Sequence, residues 1–136
     1  MIKEVTAKLR FLRMGPRKVR LVADLIRGRD VIRAHNTLSL LQKKAARPVL
    51  KLLNSAIANA KHNFQIDKEN LRVSAITVDG GPVLKRSMPR AHGRATPIRE
   101  RTSHINLVLA EIVRKEKPAK KDKKEVVVKK AKAEKK

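Results

Sequence analysis

Lys85, Arg86, Arg90, Arg94 and Arg99 fall between Asp79 and Glu100 with no acidic residue among them. Cations at that density bind phosphate. Arg adds a planar fork that pairs with an oxyanion and stacks on exposed bases, where Lys supplies only a point charge. With Arg101, the stretch holds five Arg against one Lys, and His104 closes it. Gly80, Gly81, Pro82, Pro89, Gly93 and Pro97 lie in the same stretch, which excludes a helix. A long cationic segment with almost nothing to place in a core implies an anionic surrounding, and nucleic acid is the leading candidate. A second cluster, Lys8, Arg10, Arg13, Arg17, Lys18 and Arg20, puts six cations within thirteen residues and suggests a second face for the same partner.

No other constellation supports catalysis. His35, His62, His92 and His104 show no metal-binding spacing, and the chain has no Cys for thiolate ligands or nucleophiles. Ser103 next to His104 lacks an orienting third group. Asp67 and Glu69 read as a turn. Gly80-Gly81 is followed by neither Lys-Ser nor Lys-Thr, so it is no phosphate loop. The expectation is a protein that is not an enzyme, with no cofactor and no metal.

The chain has 136 residues, enough for one small domain, and a formal charge of +23 from 35 Lys+Arg against 12 Asp+Glu. Such a charge repels itself unless counterions or a polyanion gather around it. No apolar run is long enough to span a bilayer, and no basic amphipathic helix carries aromatic anchors, so no membrane partner is expected. MIKEVTAKLRFLRM lacks a signal-peptide core, which points to the cytoplasm. Trp and Tyr are absent and Phe occurs twice, so stacking single-stranded bases on aromatics is not the mode. Contacts should go to phosphate, sugar and helical grooves.

Several elements must position these cations. Residues 1 to 13 alternate, with Val5, Ala7, Leu9 and Phe11 on one side of a strand and Thr6, Lys8 and Arg10 on the other. Pro16 suits the first position of a helix whose apolar stripe is Val19, Val22, Ala23 and Ile26, with Gly28 placed for a left-handed cap. Asp30 opens a second helix carrying Val31, Ala34, Leu38 and Leu41. A third starts near Ala45 to Arg47, repeats Val49, Leu52, Leu53, Ala56, Ile57 and Ala60, and closes about Asn63. Leu71 to Val78 and Ile105 to Val113 read as strands flanking the basic stretch. The economical picture is one long antiparallel hairpin whose base joins the sheet and whose tip projects. From Gly80 to Ser103 each arm would run about twelve residues, roughly 40 Å at about 3.3 Å per residue. The fold expected is α+β: a small sheet packed with three helices, with one long antiparallel β-hairpin projecting. Residues 1–113 would form one domain that includes the hairpin 79–104, and 114–136 a disordered Lys-rich tail. From Lys115 on, that tail holds eleven Lys and four acids. It reads equally as a solubilising segment or a weak RNA binder.

SAIANA (Ser55 to Ala60) with His62-Asn63, then VDGGPVLKRSMPRAHGRATPIRERTSH (Val78 to His104), resembles the bacterial large ribosomal subunit protein twenty-two family. PRKVRLVADLIRG (Pro16 to Gly28) resembles that family's first helix, and the likeness runs in order over about residues 5 to 113. The resemblance implies a cytoplasmic ribosomal protein that binds large-subunit (23S-type) rRNA and helps early assembly. Its hairpin would line the nascent-peptide exit tunnel near the constriction. By the matching motif, the tip would be Met88, Pro89, Arg90, Ala91, His92, Gly93, Arg94 and Ala95. Partners would be rRNA, neighbouring large-subunit proteins and the nascent polypeptide, with no self-association. This chain has Gly15 where many relatives carry Ser, and His92 where Lys is frequent. Composition alone leaves a rival open, a DNA-bending protein with basic β-arms, although such proteins act as dimers with two arms.

Overall fold

The computed structural model describes residues 4–112. The expected Lys-rich tail lies outside the described residues. In chain order the elements are β1 (Glu4–Leu12), α1 (Pro16–Ile26), α2 (Val31–Leu40), α3 (Ala46–Phe64), β2 (Leu71–Pro89) and β3 (Ala95–Glu111). All pairing is antiparallel and the strand order is β1-β3-β2. The edge strands are therefore parallel to one another, with β3 inserted between them. The α+β expectation holds, projecting hairpin included.

Each helix forms where its apolar spacing and end signals agree. In α1, Pro16 takes a first-turn position and Val19, Val22, Ala23 and Ile26 are buried. Gly28 takes the left-handed conformation expected of it, one residue beyond the C-cap. Arg27 closes α1 in an extended conformation, and Gly28 (φ 72°) turns the chain one residue later, donating its N–H to Val73 O at 3.0 Å. Arg29 N–H donates to Ile26 O at 3.2 Å to close that turn, and the Gly28 bond ties it to β2. In α2, Val31, Ala34 and Leu38 face inward, while Leu41 caps the helix half-buried. α3 runs one residue past the expected Asn63, and Gln65 takes the left-handed conformation (φ 56°) that ends it. Against the sheet, α3 lies on β1 and α1 on β2, with α2 packed on α3.

Alternation on β3 is strict: Ile105, Leu107 and Leu109 are fully buried under the helices, and His104, Asn106 and Val108 lie on the other face. On β2 the buried set switches from Leu71 and Val73 to Ile76 and Val78. Pairing shifts between Val73 and Ala75, so Ser74 is an extra residue that reverses which parity faces the core. β1 makes the same switch near its end. Leu9 pairs with Ile105 and Leu12 with Ser103, leaving one extra residue between. Phe11, expected inward with Val5 and Ala7, instead takes φ 57° and is 60% exposed. The bulge turned it out.

The helix-covered face is one continuous apolar cluster. Burial of a large aliphatic side chain there stabilises by about 1.5–3 kcal/mol. The arm beyond Gly81 contributes no buried residue before Thr102. Leu107→Ala should therefore lower unfolding free energy by about 2–5 kcal/mol, and Met88→Ala by less than about 0.5 kcal/mol. Urea denaturation followed by far-UV circular dichroism measures both; comparable losses would mean the arm is part of the cooperative core.

Candidate nucleic-acid interface

β1 leaves β3 at Leu12–Ser103. From Val83–Arg101 outward, β2 and β3 pair only with each other, as far as Pro89–Ala95. The paired arm is thus about seven residues a side, and the rest of the expected length is joint and tip. Arg90 N–H donates to Arg94 O at 2.7 Å to close the tip around a single turn, Ala91–Gly93. Gly93 takes φ 67° as its type permits, and His92 takes φ 57° beside it. The tip residues Met88 to Ala95 are all exposed.

Residues directly opposite in an antiparallel pair share a face. One face of the arm stacks Val83 with Arg101, Lys85 with Arg99, and Ser87 with Pro97. The other carries Leu84 with Glu100, Arg86 with Ile98, and Met88 with Thr96. Two cations therefore stand opposite each other with a third, Arg101, one step along the same face. Directly opposed like charges weaken a two-stranded ribbon by a few tenths to about 1 kcal/mol, and no carboxylate shares their face. Arg86 and Arg90 bond only within the arm, the first to the neighbouring Lys85 carbonyl at 3.1 Å, the second to Thr96 Oγ1 at 3.4 Å. Arg94 and Arg99 make no side-chain hydrogen bond or ion pair among the described residues.

The second cluster divides. Lys8, Arg10, Arg17 and Lys18 are exposed, and Arg17 and Lys18 stand in the first turn of α1 beside Arg101. Gly15 caps that helix with no side-chain acceptor and no acid follows in the first turn, so its partial positive charge is uncompensated. Arg20 is partly committed: its Nε and one terminal nitrogen donate to Val78 O at 3.1 and 3.0 Å, clamping α1 to β2. Arg27 does the same two turns later, reaching Ile76 O at 3.2 Å while paired with Asp24 at 2.7 Å. Arg13 pairs with Glu100 at 2.8 Å across the arm's root.

His104 is also occupied inside the protein. Its Nδ1 accepts the Phe11 N–H at 3.0 Å, so the neutral ring carries its proton on Nε2. The Phe11 and His104 rings meet edge to face, centroids 4.8 Å apart. On the other side of β3 a second bulge falls between Gly80 and Val83. There Thr102 Oγ1, buried, donates to Pro82 O at 2.7 Å. Bulges on both neighbours thus meet β3 at the same level and form the joint from which the arm leaves the sheet. A bulge bends and twists the strand carrying it. Sequence reading missed this joint; two glycines before Pro82 were its signal. It also missed Lys43 and Lys44, a basic doublet that the link from α2 to α3 places near the arm's root.

With this geometry in hand, comparison with known proteins is decisive. The family model for ribosomal protein L22p/L17e matches residues 7–110. This chain belongs to that family. The large ribosomal subunit protein uL22 of Bdellovibrio bacteriovorus is 56% identical over 108 residues, covering 79% of this chain and 98% of the relative. That of Myxococcus xanthus is 54% identical over 110 residues, with 79% and 96% covered. That of Fusobacterium nucleatum is 53% identical over 108, with 79% and 97% covered. Membership makes the chain a structural protein of the ribosome, in the bacterial cytoplasm, rather than a catalyst. Among the described residues no group of His, Asp or Glu could hold a metal, and no helix is long and apolar enough to cross a membrane.

Gly81 has no room for a side chain. A Cβ there would stand 2.5 Å from Thr102 Oγ1 and 3.0 Å from His104 Nε2. Gly81→Ala should break the Thr102–Pro82 bond, re-aim the arm and cost about 1–3 kcal/mol. Amide chemical shifts checked by NMR should move at Val83, Thr102–His104 and Phe11, with α2 and α3 unchanged. A spectrum altered at residue 81 alone would show that the joint yields.

Proposed function

We propose that this chain binds large-subunit rRNA through its arm and the N-terminal turn of α1, assists early assembly, and lines the nascent-peptide exit tunnel with its tip near the constriction. The observation that carries this is Lys85 opposite Arg99, with Arg101 next on the same face, on an arm with no core of its own. Such a face is at its lowest free energy against a polyanion, which turns mutual repulsion into counterion release. The relatives are large-subunit ribosomal proteins by name, which supports rRNA as that polyanion.

Within this reading the anchors are Lys85, Arg86, Arg90, Arg94, Arg99 and Arg101 on the arm, with Lys8, Arg10, Arg17 and Lys18 on the domain. Arg13, Arg20 and His104 act chiefly by holding the arm's root and α1 in place. Residues 1–113 would act as one unit with hairpin 79–104 as its probe. Met88 to Ala95 would face the tunnel, where the nascent polypeptide passes and neighbouring large-subunit proteins approach. The tip has the narrow turn and exposed cations this needs.

Ultraviolet crosslinking in intact cells tests this. Crosslinks from Met88 to Arg94 should fall at a few fixed sites in large-subunit rRNA; crosslinks scattered over DNA or many RNAs would reject it. In vitro, Lys85→Ala with Arg99→Ala should lower rRNA affinity and flatten the slope of log affinity against log salt by about 1 to 2. Arg90→Ala with Arg94→Ala should weaken contact at the tip while the domain still enters the subunit.

A further inference from the structure

A groove of about 700 Å³ opens between α1 and the root of the arm, bounded also by the β1–α1 and α2–α3 links. Its floor is aliphatic: Leu21, Leu25, Leu41 and Leu84. Leu21 is 71% exposed and Leu25 39%, so the floor presents aliphatic surface that the fold itself leaves uncovered. Around that floor stand Lys18, Lys43, Lys44 and Arg101. The one acid present, Glu100, is already paired with Arg13 at 2.8 Å.

The occupant must therefore be apolar where it meets the floor and anionic where it meets the rim. An unstacked nucleotide has both properties in one unit, a flat base and a flanking phosphate on either side. Lys18 and Arg101 also line the adjoining cationic hollow with Arg17, so a strand crossing one surface continues onto the other. We infer that this groove receives one extruded nucleotide of the RNA bound by the cationic face, with its base on Leu21 and Leu25 and its phosphates on the four rim cations. The inference rests on the RNA-binding reading and gives it a place. No aromatic side chain lines the groove, so the base is gripped by aliphatic contact and the Arg101 plane, and discrimination among bases is weak.

Two experiments test it. A diazirine-bearing leucine analogue at position 21, in the full chain assembled into the large subunit, should crosslink to a single rRNA nucleotide. Crosslinking to a polypeptide would assign the groove to a protein partner and overturn the inference, as would scattered crosslinks or none. The second uses purified full chain and large-subunit rRNA, probed with dimethyl sulfate and a carbodiimide. Leu21→Ser with Leu25→Ser, both exposed and so compatible with folding, should restore reactivity at one protected nucleotide. Affinity should drop roughly five- to tenfold, from the lower end of stacking losses, with the salt slope unchanged. Lys43→Ala with Lys44→Ala should flatten that slope instead. Unchanged affinity and reactivity in the leucine variant, with rRNA binding intact, would overturn this inference alone; failure of the wild-type chain to bind rRNA would overturn the RNA reading with it.

Discussion

β3 serves two environments in one uninterrupted strand. From Ile105 to Leu109 it is the central strand of the sheet, bonded on both sides and covered by helices. From Ala95 to Arg99 it is half of an exposed two-stranded ribbon. A side-chain period of two cannot satisfy both without a break in pairing, because the core demands one parity of apolar residues along its whole length. The break is placed on the neighbours: one extra residue in β1 near Phe11 and one in β2 near Gly81, both opposite Thr102–His104. β3 stays straight in register, and the arm's direction is set by two bulges instead of by a loop. The Phe11–His104 and Thr102–Pro82 bonds then hold that direction.

Charge is the second organising force. At about 0.1 M salt, charges within roughly 10 Å still act on one another, and cations along the arm stand closer than that. Inside the protein, arginines are drawn to backbone carbonyls and to Glu100 and Asp24, which pins α1 and the root of the arm. Further out no acid remains, and Lys85, Arg94 and Arg99 make no side-chain hydrogen bond or ion pair among the described residues. The same residue type thus acts as a clamp near the core and stands exposed far from it, and the difference is whether a carbonyl or carboxylate lies within reach. The buried apolar residues are accordingly confined to the domain, and the arm beyond Gly81 adds none before Thr102.

Local patterning alone determined much of this protein. Apolar spacing located three helices and both ends of the hairpin, Pro16 and Gly93 marked a helix start and a turn, and the acid-free run from Gly80 to Arg99 marked the arm. These are properties of neighbouring residues and need no fold to be seen. Tertiary structure decided what depends on chain segments far apart. The β1-β3-β2 order, the parity switches at Ser74 and Phe11, and the pairing of Lys85 with Arg99 follow from register across strands. Arg13, Arg20 and His104 look like free ligands in sequence, but each meets its partner 58 to 93 residues away. Hydrogen bonds act at about 3 Å in space whatever the separation along the chain, so only the folded arrangement shows that these residues also hold the arm's root and α1 in place.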